Sequence, residues 1–138
     1  MSTTTLHGHI LTPQGFVRGS LRTTPEGRVA SITGTPVAQE AVRGSAEPIV
    51  LPGFIDLHVH GGAGHDIMEG GDAALHVARL HARHGTTSLL ATTMTAPQSD
   101  LDDAFAAMGP LCRERAPNAA RVLGVHLEGP YILSLIHI

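Results

Sequence analysis

The sequence predicts an α/β fold, and three observations carry that reading. Short strand-like runs separated by turn residues fill the first 50 positions. From residue 49 onward, apolar strand segments alternate with two helical patterns in the order β-α-β-α-β. Two of those strand segments end in histidine or glutamate, residue types that bind metal. Crossovers of this length belong to barrels or doubly wound sheets, and both place their sites at the carboxyl ends of parallel strands.

At 138 residues the chain has the length of one ordinary domain. Hydrophobic residues make up 42% and charged residues 15%, a balance that suits a packed interior and not disorder. The net charge of −3 and the lack of a basic patch argue against nucleic acid as a partner. No apolar run approaches the ~20 residues of a membrane span, so a membrane is not expected either. Met1-Ser-Thr-Thr-Thr-Leu-His7 lacks the basic start and apolar core of a secretory signal. A single cysteine, Cys112, fits a reducing compartment, and the cytoplasm is the expected location.

Residues 6–11 and 16–21 read as strands joined by the turn Thr12-Pro-Gln-Gly15. Thr24-Pro-Glu-Gly27 has proline second and glycine fourth, a type I preference, and leads into a strand over 28–32. Pieces this small do not fold alone and call for a partner sheet. His7 and His9 alternate as ligands would, but with no other ligand type close by they read as ordinary strand positions.

Residues 49–59 form an apolar run of the kind a strand covered on both faces requires. Alternation puts Asp56, His58 and His60 on one side, with the two imidazoles about 6.5–7 Å apart at the Cα level. Neutral imidazoles so placed can close on one divalent ion at about 2.0–2.1 Å per bond. A lone histidine in an apolar strand is more often packed core than ligand, but a His-x-His pair ahead of Gly61-Gly62 favours the ligand reading. Asp56, one step deeper, suits an orienting role behind the ligands. Glycines 61 and 62 allow a sharp turn with no side chain crowding the site.

The loop 63–71 is glycine-rich, and His65 and Asp66 in it are weak site candidates. Asp72 is placed to cap a helix running to His84, with Gly85 as its stop. His76, His81 and His84 lack the i, i+4 spacing of a metal pair and read as surface residues. Thr86 to Thr95 gives the second strand and its loop. Ser99-x-x-Asp102 resembles a capping box. Leu101, Ala104, Phe105, Met108, Leu111 and Cys112 then form one apolar helical stripe, which makes Cys112 a core residue. Pro110 is expected to kink that helix or end it early. The third strand, 121–128, carries His126 and Glu128 on one face, and Glu128 can reach a metal held by His58 and His60.

Three segments resemble the amidohydrolase superfamily and, within it, the N-acetylglucosamine-6-phosphate deacetylase family. They are Pro52-Gly-Phe-Ile-Asp-Leu-His-Val-His-Gly-Gly62, then Gly85-Thr-Thr-Ser88 with Thr92-Thr-Met94, and His126-Leu-Glu-Gly-Pro130. The resemblance implies a partial TIM (β/α)8 barrel, about its first three βα units, beside a small β-sandwich drawn from both chain ends. The expected boundaries are 1–50 for the sandwich strands, 51–132 for the barrel and 133–138 for a tail that does not match. His137 in that tail is not counted as a ligand.

By the same resemblance Glu128 is the main metal ligand and His58 and His60 form the accompanying pair. The metal would be zinc, with iron, manganese or cobalt as alternatives, in one or two copies. The reaction would be hydrolysis of N-acetylglucosamine 6-phosphate to glucosamine 6-phosphate and acetate, in a homodimer. The family's remaining histidines and its general acid/base aspartate come from later strands and map onto nothing here. No catalytic or substrate-binding residue is therefore assigned, and the chain alone is expected to be inactive and poorly stable. Two other readings stay open: a dihydroorotase- or deaminase-like amidohydrolase, which Glu128 in Glu-Gly-Pro argues against, and a fragment with no catalysis of its own.

Overall fold

The structure, a computed structural model, describes residues 2–129 and 131. It divides into two compact units, Met1–Pro52 and Gly53–Ile138.

The first unit is a four-stranded sheet. Strands β1 (Thr5–Thr12), β2 (Gly15–Thr23) and β3 (Val29–Val37) form an antiparallel meander. The β1–β2 turn is fastened by Thr12, whose Oγ1 donates to the Gly15 carbonyl and accepts from the Gln14 N–H. At the next turn the Gly27 N–H donates to the Thr24 carbonyl, and Gly27 takes the positive φ of 81°. Strand β3 runs five residues beyond the expected end at 32, because 33–37 pair with 16–20 of β2.

A short helix, α1 (Gln39–Arg43), precedes β4 (Ile49–Val50), which pairs in parallel with β1 through His9↔Ile49 and Ile10↔Val50. This corrects the expectation that residues 49–51 lead directly into the His-x-His strand. Pro52 has no N–H for a ladder, so the apolar run divides there between two sheets. Ile10 and Val42 are buried, and Arg18 pairs with Glu47 at the surface.

The second unit is built on three parallel strands in the order β5-β8-β9, namely Phe54–Val59, Thr86–Thr92 and Arg121–His126. Between β5 and β8 come the two-residue pair β6 (Gly61–Gly62) and β7 (His65–Asp66), a 3-10 turn Ile67–Glu69 and α2 (Ala73–Arg83). Helix α3 (Gln98–Arg113) connects β8 to β9. Sheet and helices enclose a core of Val59, Ile67, Val77, Leu89, Met108 and Val122 with several alanines. Helix α2 ends at His84, after which Gly85 takes a φ of 91°.

Three local expectations change. Strand β5 is not covered on both faces: Phe54, Ile55 and Leu57 are 59–61% exposed. It is the edge of its sheet, and the α2–β8 and α3–β9 packing leaves it largely bare. The capping box lies not at Ser99 but at Asp66 and Glu69, which cap the 3-10 turn reciprocally. Ser99 Oγ instead donates to Asp100. Pro110 does not end α3 early, since the helix runs on to Arg113 and the Pro110 carbonyl accepts from the Glu114 N–H. Gly61 also serves close approach, because a Cβ there would collide with the His65 carbonyl across the β6–β7 pair.

Two outcomes are expected. Leu89, fully buried in the central strand, should cost about 2–5 kcal/mol on replacement by alanine, read by chemical denaturation; a loss under 1 kcal/mol would place the core elsewhere. Arg18 hydrogen bonding holds the Glu47 carboxyl below its ordinary range. A depressed carboxyl stabilises above the unfolded value of about 4.3, and that stability is lost as pH falls through the folded value. Glu47→Gln should therefore flatten the acid limb of unfolding in low salt; identical acid limbs would rule the pair out as a contributor.

Candidate metal centre

The ladder between β5 and β8 is irregular. Asp56 pairs with Leu89 and Val59 with Ala91, so three residues of β5 advance against two of β8. The extra residue is a bulge, which bends a strand and re-aims its side chains. His58 sits in the bulge and His60 just past the strand end. Glu128 lies two residues beyond β9. Its position is held by Gly129 at φ 88°, where a Cβ would collide with the Thr95 side chain.

These three side chains converge. His58 Nε2 lies 2.9 Å from His60 Nε2, and Glu128 Oε2 lies 3.2 and 3.1 Å from them. Around a tetrahedral ion with bonds of about 2.0–2.1 Å, neighbouring ligand atoms sit roughly 3.3 Å apart, so the triangle is close to one face of such a site. Among the described residues Glu128 Oε2 is shut off from solvent and has no hydrogen-bond partner. Three lone-pair donors facing one point, one of them an unsatisfied carboxylate oxygen, form a donor set that can hold a divalent cation. The side chains are 52%, 33% and 36% exposed in the order His58, His60, Glu128, which leaves the centre open to solvent.

Asp56, expected to orient the ligands from behind, contacts the backbone of His58 and not its ring. The bulge breaks the strict period, and Asp56 Oδ1 accepts from the backbone N–H of His58, 3.1 Å away. Among the described residues no hydrogen bond joins Asp56 to an imidazole. The other candidates are engaged locally. Asp66 caps the 3-10 turn through the Met68 N–H, and His65 pairs with Glu69 at 3.1 Å while stacking on His76 at 4.5 Å. The His65 hydrogen bond holds the Glu69 carboxyl below its ordinary range. His76 and His84 are exposed, and His81 is half-buried with Nε2 3.4 Å from the Gly61 carbonyl. Burial pushes the Cys112 thiol up, as a residue packed on the core requires. His137 and the expected 133–138 tail lie outside the described residues.

Two groups beside the centre carry no assignment from the sequence. The His126 ring lies 4.9 Å from that of His58 at 79°, and its Nδ1–H donates to the Leu57 carbonyl at 3.1 Å. Thr92 Oγ1 accepts from the Val59 N–H at 2.9 Å. For His126 the signal was legible, since it lies two residues before Glu128 at the end of β9. Thr92 lies in the family-like segment Thr92-Thr-Met94, but a buried threonine at a strand end has no spacing signature that gives it a role.

Residues 49–134 match the sequence model of the amidohydrolase family. The chain is 38% identical over 123 residues to an N-acetylgalactosamine-6-phosphate deacetylase of Escherichia coli O157:H7, covering 88% of this chain and 32% of that one. It is 39% identical over 110 residues to an N-acetylglucosamine-6-phosphate deacetylase of Lysinibacillus sphaericus, covering 78% and 28%. Among solved structures it is similar to N-acetylglucosamine-6-phosphate deacetylase of Thermotoga maritima, with a TM-score of 0.74 at 26% identity over 94% of this chain and 33% of that one. A Mycobacterium smegmatis counterpart, solved as a mutant in complex with N-acetyl-D-glucosamine-6-phosphate, gives 0.72 at 26% identity, covering 96% and 34%. The chain thus spans about a third of the length of these relatives.

Gly129→Ala would force a side chain into left-handed backbone and against Thr95. It should cost at least about 1–2 kcal/mol in denaturant unfolding, and no measurable loss would show that the turn after Glu128 relaxes freely.

Proposed function

Because the chain belongs to the amidohydrolase family, we propose that it forms the metal-binding first part of a (β/α)8 hydrolase that deacetylates N-acetylglucosamine 6-phosphate to glucosamine 6-phosphate and acetate. The observation that carries this reading is the meeting of His58, His60 and Glu128 from the ends of two parallel strands. Strand order is compatible with the barrel: among the described residues β5-β8-β9 follows the chain with no reversal. Leu6, Val29 and Ile32, exposed on the first sheet, support the addition of a second sheet in a small sandwich over residues 1–50, with the barrel over 51–132. The relatives' activities supply the substrate class.

In this reading His58 and His60 offer neutral Nε2 lone pairs and Glu128 a carboxylate oxygen. Two imidazoles and one carboxylate are a donor set used by catalytic zinc, and iron, manganese or cobalt accept the same groups, as one ion or two. When bound, the ion supplies a Lewis acid that polarises an amide oxygen and acidifies a water. The chain's own groups fix where that charge sits. Amide hydrolysis also needs a proton donor for the departing amine, and no residue of this chain is assigned to that task. Among the described residues no helix is long and apolar enough to cross a membrane. The proposed setting is a cytoplasmic homodimer acting on a small phosphorylated sugar.

A second reading, N-acetylgalactosamine 6-phosphate as substrate, is favoured by the Escherichia coli relative, which aligns over 88% of the chain. Acetate release from the two sugar phosphates separates them. The 138-residue chain should release none, and any longer product of the same gene that supplies the later strands should prefer one epimer. Glu128→Gln in that longer protein should lower metal content, by mass spectrometry, together with turnover. Full metal content in Glu128→Gln would overturn the ligand assignment; no acetate from either sugar would overturn the substrate.

A further inference from the structure

A bulge leaves backbone groups that the regular ladder would have paired, and such groups need partners. In β5 the affected stretch runs from Asp56 to Val59 and contains His58. The Val59 N–H goes to Thr92 Oγ1 at 2.9 Å, and Thr92 is completely buried at the end of β8. The Leu57 carbonyl goes to His126 Nδ1–H at 3.1 Å, from the end of β9. The two bonds take the backbone on either side of His58. The His126 ring also stands edge-on to the His58 ring, with centroids 4.9 Å apart, and so limits its rotation.

We propose that Thr92 and His126 are positioning residues: together they lock the β5 bulge in the shape that turns His58 and His60 toward Glu128. The proposal rests on the metal-ligand reading above and extends it to two residues that contact no ion. The β8–β9 ladder, including Thr92↔His126, runs through backbone groups, and the His126 carbonyl is taken by the Thr93 N–H. What the two side chains add to that ladder is a pair of bonds to the bulged stretch of β5. Residues that orient metal ligands through hydrogen bonds typically change metal affinity by about 10–100-fold when removed.

The test uses Thr92→Val, which keeps shape and loses the hydroxyl, and His126→Leu, which loses the donor. His126→Asn restores an N–H near the Nδ1 position. Wild type and Glu128→Gln serve as references. In the metal-free protein, NMR follows the His58 and His60 ring signals and hydrogen exchange at the Val59 amide. With cobalt(II) added, affinity and the visible d–d bands are read. Thr92→Val and His126→Leu should each shift both sets of ring signals and weaken cobalt binding about 10–100-fold. Thr92→Val should also speed Val59 exchange, and His126→Asn should recover most of the affinity and the wild-type bands.

Glu128→Gln should lose cobalt yet leave Val59 exchange unchanged, which separates ligand from positioning effects. Ring signals and cobalt affinity unchanged in both Thr92→Val and His126→Leu would overturn the proposal. A wild-type protein that takes up no cobalt would overturn the ligand reading instead, and the metal-free ring signals would then decide the positioning role alone.

Discussion

Neighbouring strands in a sheet run about 4.7–4.9 Å apart, so the ends of β5 and β9 are separated by twice that, with β8 between them. His58 and Glu128 nevertheless bring Nε2 and Oε2 to 3.2 Å. Both side chains have to lean over the end of β8, and that end has to be small. It is: the residues there are Thr92 and Thr93, both fully buried. The lean also needs an angle that a regular strand would not give, and the bulge in β5 supplies it. Beneath this edge Val59, Leu89, Ala91 and Val122 fill the core, so the strand ends are carried on packed side chains and not on loops.

The electrostatics of the centre follow from that convergence. Two imidazole nitrogens and a carboxylate oxygen within 3.2 Å of one another present lone pairs to a common point. Glu128 Oε2 is the point they share, 3.1 Å from His60 Nε2 and 3.2 Å from His58 Nε2. A divalent cation bound there would add its binding energy to folding, because the unfolded chain does not hold the three groups together.

How much of this was legible depended on how local each signal was. The strands of the first unit could be read because turn chemistry marks them: Thr12 to Gly15 and Thr24 to Gly27 close as their residues predict. The parallel β5-β8-β9 order and the meeting of two histidines with Glu128 could be read from period and position. The bulge could not. Its cause is a mismatch between two strands more than thirty residues apart, and no pattern inside residues 54–60 records it. Alternation therefore says nothing of the bond that the Asp56 carboxylate makes to the His58 backbone. The capping box at Asp66 and Glu69 was hidden for a different reason: the turn it caps is too short to show helical periodicity.

The remaining tension lies between geometry and environment. A parallel sheet is ordinarily covered on both faces, yet Phe54, Ile55 and Leu57 on β5 and Leu123 on β9 are 47–61% exposed. His58, at 52%, shares that exposure. Charges act weakly in such a setting, since water and salt screen them, and strongly once the same face is dry. Ligation needs only the three donors in place, which two strand ends and a bulge provide. Polarising an amide needs the ion in a low-dielectric pocket, which requires the apolar face of β5 to be covered. The two requirements are met by different parts of the architecture: this sheet sets where a cation would sit, and whatever packs against its bare side sets how hard that cation can pull.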